Sequence, residues 1–344
     1  MSRIVCTFLI GLFFTVAILG QDSLAVAVAE KGDGIFSLLR KQGMDPNDHY
    51  QDFIVLNKEN LREGQHLYEG AAYLLPTVED AVMSSEIDND SSEISTSEIE
   101  GSHYAIFGDE EAFVEKKSEQ LSGAIYYLIS GHGGPDPGAV ETYQDVTIAE
   151  DEYAYDVTLR LAKELLAHGA MVYIIVRDEN DGIRNNRALE IDRDEVVYPE
   201  QKIPLKQIDR LKQRVEAVNE LYLKNKGSYQ RLLVTHVDSR SKGQNIDVFF
   251  YHHKKSKNGK RLAQNIHNTF LAKYKIYQPN RDYTGTFSDR SNLYLIKNTL
   301  PAMAYIEIGN LKSKRDQHRI LDPDNRQALA KWIAVGVLAD YKSR

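Results

Sequence analysis

From about Tyr104 onward, short unbroken apolar runs alternate with stretches whose apolar residues recur every three or four positions. An unbroken run suits a strand buried on both faces, and the wider spacing gives a helix one apolar stripe. Residues 124–130, 171–176, 231–235, 246–251 and 302–308 are therefore expected strands. Residues 152–168 place Ala154, Val157, Leu161 and Leu165 on one helical face, and Gly169 supplies the stop. Residues 205–224 and 259–270 are expected helices, and a terminal helix sets Leu329, Ile333, Val337 and Tyr341 at spacings of four. Strands alternating with helices predict an α/β fold: a twisted, mostly parallel sheet flanked by helices on both faces. In such sheets the ligand site lies beyond the carboxyl ends of the strands.

The chain ahead of this block follows other patterns. Arg3 precedes an uncharged run over residues 4–19, too short for a comfortable membrane span and built like a secretory signal. Gly20, Ala25-Val26-Ala27 and Ala27-Val28-Ala29 offer cleavage points, and residues 1–27 are the expected signal peptide, with a retained anchor as the alternative. Cys6, the sole cysteine, lies within that run, so the mature chain would have no disulfide and no thiolate metal site. Export to the periplasm or cell envelope is the expectation.

Residues 29–76 form a small apolar-patterned segment. Lys31-Gly32-Asp33-Gly34 opens a short helix with Ile35, Leu38 and Leu39 on one face, and a turn and strand close the segment at Leu74-Leu75-Pro76. These residues resemble a LysM module, a strand–helix–helix–strand domain that binds glycans containing N-acetylglucosamine. Gly34 stands where that family has Thr, and a capping subdomain without a ligand is the alternative.

Charge then sharpens the division. The net charge is −8, yet residues 1–120 carry 8 Lys/Arg against 22 Asp/Glu and the remainder carries 34 against 28. Residues 77–102 hold eight acids, seven serines and no Lys or Arg, the composition of a self-repelling, extended linker. The overall negative charge argues against a nucleic-acid partner. The α/β block, residues 104–344, is mildly basic.

Three expected strands run into an ionisable group: the first reaches His132 through Gly131, the next His236, and the last Glu307. Glu150 stands just before the helix that follows the first strand. Two imidazoles and a carboxylate are a common ligand set for a catalytic zinc, and a further carboxylate beside its water can act as general base. Taken alone, the pattern leaves open that these histidines are surface residues, or that the glycine-rich loop cradles a phosphate.

The motifs resemble those of the zinc-dependent N-acetylmuramoyl-L-alanine amidases of the amidase-3 type. Gly131-His132-Gly133-Gly134-Pro135-Asp136-Pro137-Gly138-Ala139 matches the family's first motif, and Glu150 to Leu161 its second. Val176-Arg177-Asp178, Leu211 to Asn219, Leu233 to Ser239 and Pro301 to Ser313 follow in the family's order. The resemblance implies one Zn2+ held by His132, Glu150 and His236, with Glu307 as the catalytic carboxylate. It implies hydrolysis of the amide between N-acetylmuramic acid and L-alanine in peptidoglycan, for wall remodelling or daughter-cell separation. Arg177 and Arg214 are candidates for binding substrate carboxylates and equally for structural ion pairs.

Departures are visible too. Ile129-Ser130 replaces the family's Asp-Pro before the first histidine; if that Asp orients the histidine, another hydrogen-bond acceptor must serve His132 here. Asp238 replaces an Asn after His236. Residues 180–206 form an insert of about 20–30 residues beyond the family pattern, a length that points to a functional or disordered connection. Glu141 and Glu152 are rival carboxylates to Glu150; His252 and His253 are expected on the surface, and His168 as a cation at a helix end. The chain is expected to act as a monomer on peptidoglycan, with a protein activator as an open option. A non-catalytic wall-binding protein and a zinc hydrolase of the same fold acting on another amide are the alternatives.

Overall fold

The computed structural model describes residues 25–30, 33–44, 46–58, 60–61, 67–76, 100–239 and 247–344. The expected signal run, Lys31, most of the acidic linker and Ile246 lie outside these residues. Two compact units divide the chain between Asp90 and Ser91.

The first unit contains β1 (Val26–Val28), α1 (Ile35–Lys41), α2 (Pro46–Leu56) and β2 (Ala72–Leu74), with β1 and β2 paired antiparallel. Leu38, Leu39, Phe53 and Tyr73 form its interior. The Asn57 side chain bonds both the amide and the carbonyl of Leu74, tying the end of α2 to β2. The expected boundary at residue 27 falls inside the β pair: Ala27 is buried opposite Tyr73, so the folded unit starts earlier than residue 29.

The second unit runs through β3 (Gly101–His103), β4 (Phe113–Glu115), β5 (Ala124–Ser130), β6 (Val140–Tyr143), β7 (Val146–Ala149), α3 (Glu150–Ala167) and β8 (Met171–Ile174). It continues with β9 (Val176–Arg177), β10 (Val196–Val197), β11 (Gln201–Lys202), α4 (Gln207–Lys224), β12 (Tyr229–Asp238), β13 (Phe249–His252), α5 (Lys257–Tyr277) and β14 (Thr286–Asp289). It closes with α6 (Tyr294–Asn298), β15 (Ala302–Asn310), α7 (Lys314–Leu321) and α8 (Pro323–Lys342). Six strands form the central sheet in the order β14-β13-β15-β12-β5-β8. Every neighbouring pair is parallel except β13 with β15.

Strand alternation divides the interior into two layers. Tyr126 and Leu128 of β5, Leu233 of β12 and Ala304 and Ile306 of β15 join Val157 and Leu161 of α3, Leu262 and Ile266 of α5 and Ile333 and Val337 of α8. Ile125, Tyr127 and Ile129, with Leu232, Val234 and Met303, face Val215, Val218 and Leu221 of α4 and Leu295 and Ile296 of α6. Helix starts have local causes: Ser256 accepts the Gly259 amide ahead of α5, and Asp322 accepts the amides of Asp324 and Asn325 ahead of α8, where Pro323 needs no partner.

The structure departs from the sequence pattern in several places. Helix α3 begins at Glu150 rather than Glu152, and α5 extends seven residues past Phe270. The polar stripe of α3 is buried as well as the apolar one. Glu152, Asp156, Arg160 and Glu164 all lie beneath other chain segments. Arg184 in the 180–206 insert pairs with Glu152, and Arg326 of α8 pairs with Asp156. Arg326 is fully buried and also donates to the carbonyls of Ile320, Leu321, Arg184 and Asn186, so its charge and all its donors are answered. Histidine 168 is no cation: burial lowers its pKa and its Nδ1 sits 2.8 Å from the Ser118 hydroxyl. His252 is buried against Phe287 rather than exposed. Among the described residues, no helix is long and apolar enough to cross a membrane.

Candidate active site

Parallel strands carry their carboxyl ends to one edge, and three adjacent strands deliver polar groups there. β5 ends at Ser130, in register with Thr235 of β12, and His132 follows two residues later. His236 of β12 is in register with Glu307 of β15. Both strands continue beyond these residues, to Asp238 and Asn310, with a register shift between His236 and Asp238. The fourth group arrives on the first turn of α3, where Glu150 favours the positive end of the helix dipole.

His132, Glu150 and His236 converge, with one donor atom from each lying within 4.8 Å of the others. His132 Nε2 is 3.4 Å from Glu150 Oε2, and His236 Nδ1 is 2.9 Å from Glu150 Oε1. The two imidazoles meet edge to face with centroids 5.0 Å apart. Backbone amides of Ala139 and Val237 each donate to one Glu150 oxygen at 3.0 Å, fixing the carboxylate's plane.

The glycines of the first motif are required by this crowding. A Cβ on Gly131 would meet the His236 ring, and one on Gly138, at φ +69°, would press on both His132 and Glu150. His132 itself adopts a left-handed φ of 64°, uncommon outside glycine and of the kind that clusters at functional sites.

A carboxylate does orient His132, and it is Asp136. Its Oδ2 sits 3.0 Å from His132 Nδ1 and accepts a 2.7 Å bond from Arg210. The same Asp136 lies in the first motif, four residues on. Nδ1 is thereby engaged, leaving Nε2 toward Glu150.

Charge in the cluster is unevenly divided. Burial disfavours a cationic His132, but Asp136 and Glu150 overcome it and push its pKa up to about 10. Burial also opposes ionisation of Glu150, and the two imidazoles more than offset this, holding its pKa well below the usual carboxylate range. His236, more deeply buried and next to His132 and Arg214, has a lowered pKa. A proton on His132 thus balances the Glu150 charge, a position that a bound cation would take over.

A cleft of about 310 Å³ opens over the cluster. Glu307, Tyr305, Asp238, Arg210, Arg214 and Tyr294 are among its lining residues. Tyr305, two residues before Glu307 and on the same strand face, stacks on His236 with centroids 4.8 Å apart. Burial, with Glu307 and Glu150 nearby, raises the Tyr305 pKa well above its usual value, so its hydroxyl stays neutral.

The two arginines considered for substrate binding part company. Arg214 lines the cleft but is buried, and its Nη2 donates to the His132 carbonyl at 2.5 Å. Burial, with Arg210 beside it, lowers its pKa to about 10. Arg177 donates to the Pro199 carbonyl from β9 and is not among the cleft's lining residues. Glu141 stands on the β6–β7 hairpin, and Glu152 is engaged by Arg184, so neither rivals Glu150.

The insert also takes a definite position. Its Glu195 accepts the Gly134 amide at 2.6 Å, and Ile203 packs against Gly134, so the insert braces the His132 loop. None of its residues is among those lining the cleft.

An α/β sheet whose strand ends gather two imidazoles and two carboxylates under an open cleft is the framework of a hydrolase. A family model described as N-acetylmuramoyl-L-alanine amidase matches residues 127–339, and the chain belongs to that family. It is an enzyme of this amide-hydrolysing class, with peptidoglycan as the family's substrate. The germination-specific N-acetylmuramoyl-L-alanine amidase of Bacillus subtilis (strain 168) is 26% identical over 236 residues, spanning 65% of this chain and 82% of the relative. Among solved structures, the CwlD amidase from Clostridioides difficile in complex with the GerS lipoprotein shares 18% identity over 64% of this chain and 99% of its own, with a TM-score of 0.48. The amidase AmiC2 of Nostoc punctiforme shares 18% over 65% of this chain and 99% of its own, with a TM-score of 0.46.

Proposed function

We propose that the chain cleaves the amide between the lactyl group of N-acetylmuramic acid and L-alanine, using one Zn2+ held by His132, Glu150 and His236. The observation that carries this reading is the convergence of these three donors within 4.8 Å, beside a strand-borne Glu307. The donor set suits zinc, which takes imidazole nitrogen and carboxylate oxygen and, in catalytic sites, keeps a position open beyond three protein ligands. When bound, the ion acidifies a water, polarises the scissile carbonyl and supports the developing oxyanion. Glu307 takes the water's proton and delivers it to the leaving amine. Asp136 and Arg210 orient His132, and Arg214 holds the backbone of its loop. The neutral Tyr305 hydroxyl is a donor for the substrate or the attacked carbonyl.

Digestion of purified peptidoglycan followed by mass spectrometry tests this reading. Free stem peptides with an N-terminal alanine are expected; intact wall would favour a non-catalytic binder, and other fragments a different amide. Glu307→Ala should retain zinc and lose at least about 100-fold in turnover. His132→Ala should lose both zinc and turnover. Full cleavage by Glu307→Ala would sink the assignment of that residue.

The first unit is proposed as a glycan-binding LysM-like module, on the strength of its motif residues and its strand, helix, helix, strand order. The acidic segment at 77–102 serves as its tether, and the apolar run at 4–19 directs export. Of the cleavage points, Gly20 leaves β1 whole. The complex of CwlD with a lipoprotein makes a protein partner a reasonable second test, by measuring turnover with and without envelope extracts.

A further inference from the structure

Behind the His132 loop, a second group of carboxylates is buried close together. Asp151 and Glu152 follow Glu150 on the first turn of α3, and Glu195 comes from the insert immediately before β10. One oxygen from each lies within 4.8 Å of the others, and the three residues are only 2%, 3% and 7% exposed. Arg184 Nη2 contacts Glu152 Oε2 at 2.9 Å, but Arg184 also pairs with Asp181. Ionised together, these three carboxylates would carry more negative charge than Arg184, the one cationic side chain bonded to them among the described residues, can offset.

Their hydrogen bonds do not absorb this excess. Glu195 Oε2 accepts the Gly134 amide, Glu152 Oε1 accepts the Asp192 amide at 3.3 Å, and Asp151 Oδ1 accepts the Glu152 amide at 3.1 Å. Asp151 Oδ2 is buried and accepts nothing. A buried carboxylate oxygen with no donor is costly, and a cation removes the cost.

We propose that Asp151, Glu152 and Glu195 form a second, structural cation site that takes one Ca2+ and fastens the insert to the start of α3 and the back of the His132 loop. The donors are all oxygen, which selects a hard cation over zinc. Ca2+ accepts irregular cages of mono- and bidentate carboxylates, whereas Mg2+ retains several waters that such a buried site has little room to admit. The site shares no ligand with His132, Glu150 and His236. A neighbouring trio, Asp178, Asp192 and Asp194, is less suited: Asp178 Oδ1 is engaged by the amides of Asn180 and Asp181, and Asp194 is exposed.

Equilibrium dialysis with labelled calcium chloride, combined with thermal melting of the full chain, tests the proposal. One Ca2+ per chain is expected, with a melting rise on the order of 5 °C at a hundredfold excess over Kd. Binding should persist in a His132→Ala, His236→Ala double variant and weaken at least about 100-fold in Asp151→Asn and Glu195→Gln. Both single variants relieve buried repulsion, so in calcium-free buffer they should melt no lower than the wild type. The proposal is overturned by absence of binding up to about 10 mM, beyond the weakest usual calcium sites, or by binding that survives both substitutions. Loss of binding in Asp178→Asn with Asp151→Asn unaffected would place the ion in the neighbouring trio and also overturn it. So would a large loss of stability in calcium-free Asp151→Asn or Glu195→Gln, since the carboxylates would then be held by protein partners.

Discussion

Asp136 is the residue on which the geometry of the proposed zinc site turns. It accepts from both His132 and Arg210, and the hydrogen bond to His132, with Arg210 adding charge, holds its pKa well below the ordinary value despite partial burial. Asp136→Asn keeps the shape and removes the charge, and should lower zinc affinity about 10–100-fold, the usual cost of losing an outer partner of a ligating histidine. Isothermal titration of zinc into the apo variant measures it. An unchanged affinity would assign Asp136 to the loop's structure alone. Arg210→Ala should fall in the same direction by less, because Asp136 keeps its charge. His132, Glu150, His236 and Glu307 are legible in the sequence because each stands at the end of a recognisable run or motif. The Asp136–Arg210 link spans 74 residues and follows no periodicity, so nothing along the chain announces it.

At the scale of elements, α3 is the least expected. Its apolar stripe is plain in the sequence, but the burial of its polar stripe depends on the insert and α8 folding over it. Among those polar residues, Asp156 carries the tightest balance. Burial alone would raise its pKa, yet the Arg326 and Arg160 guanidiniums hold it below the ordinary value. A lowered folded-state pKa stabilises the fold above the unfolded-state value of about 3.9, and this contribution is lost as pH falls through the folded-state pKa. Asp156→Asn should therefore cost about 3–5 kcal/mol near neutral pH, by leaving two buried arginines without their anion. Its stability should also depend less on pH in acid; urea unfolding at several pH values reads both effects. Helix ends and short strands leave little trace in the linear pattern. β6, β7, β10, β11 and β14 are two to four residues long and owe their form to pairing partners rather than to any run of their own.

At the scale of the whole molecule, the chain forms two compact units, divided between Asp90 and Ser91. If the first unit supplies wall affinity, a chain lacking residues 25–76 should sediment less with insoluble peptidoglycan. Its turnover of soluble muropeptides should be unchanged, because every residue lining the catalytic cleft belongs to the second unit. Equal loss on both substrates would show that the first unit supports catalysis directly. The α/β order is legible because β5, β8 and the middle of β12 and β15 are runs of mainly apolar residues. The antiparallel pairing of β13 with β15 is not, since register across a sheet depends on contacts the linear pattern does not encode.

One consequence of the sheet concerns how the chemistry can be adjusted. His236 and Glu307 are directly paired on neighbouring parallel strands, so the distance between their backbones is the interstrand repeat of about 4.8 Å, set by amide ladders. That spacing works like a lattice constant: no side-chain mutation can stretch it, and slipping one strand by a residue would turn its group to the opposite face. The reach of the carboxylate is therefore tunable only in whole methylene steps. Glu307→Asp should consequently behave almost like a deletion of the carboxylate, although the charge survives.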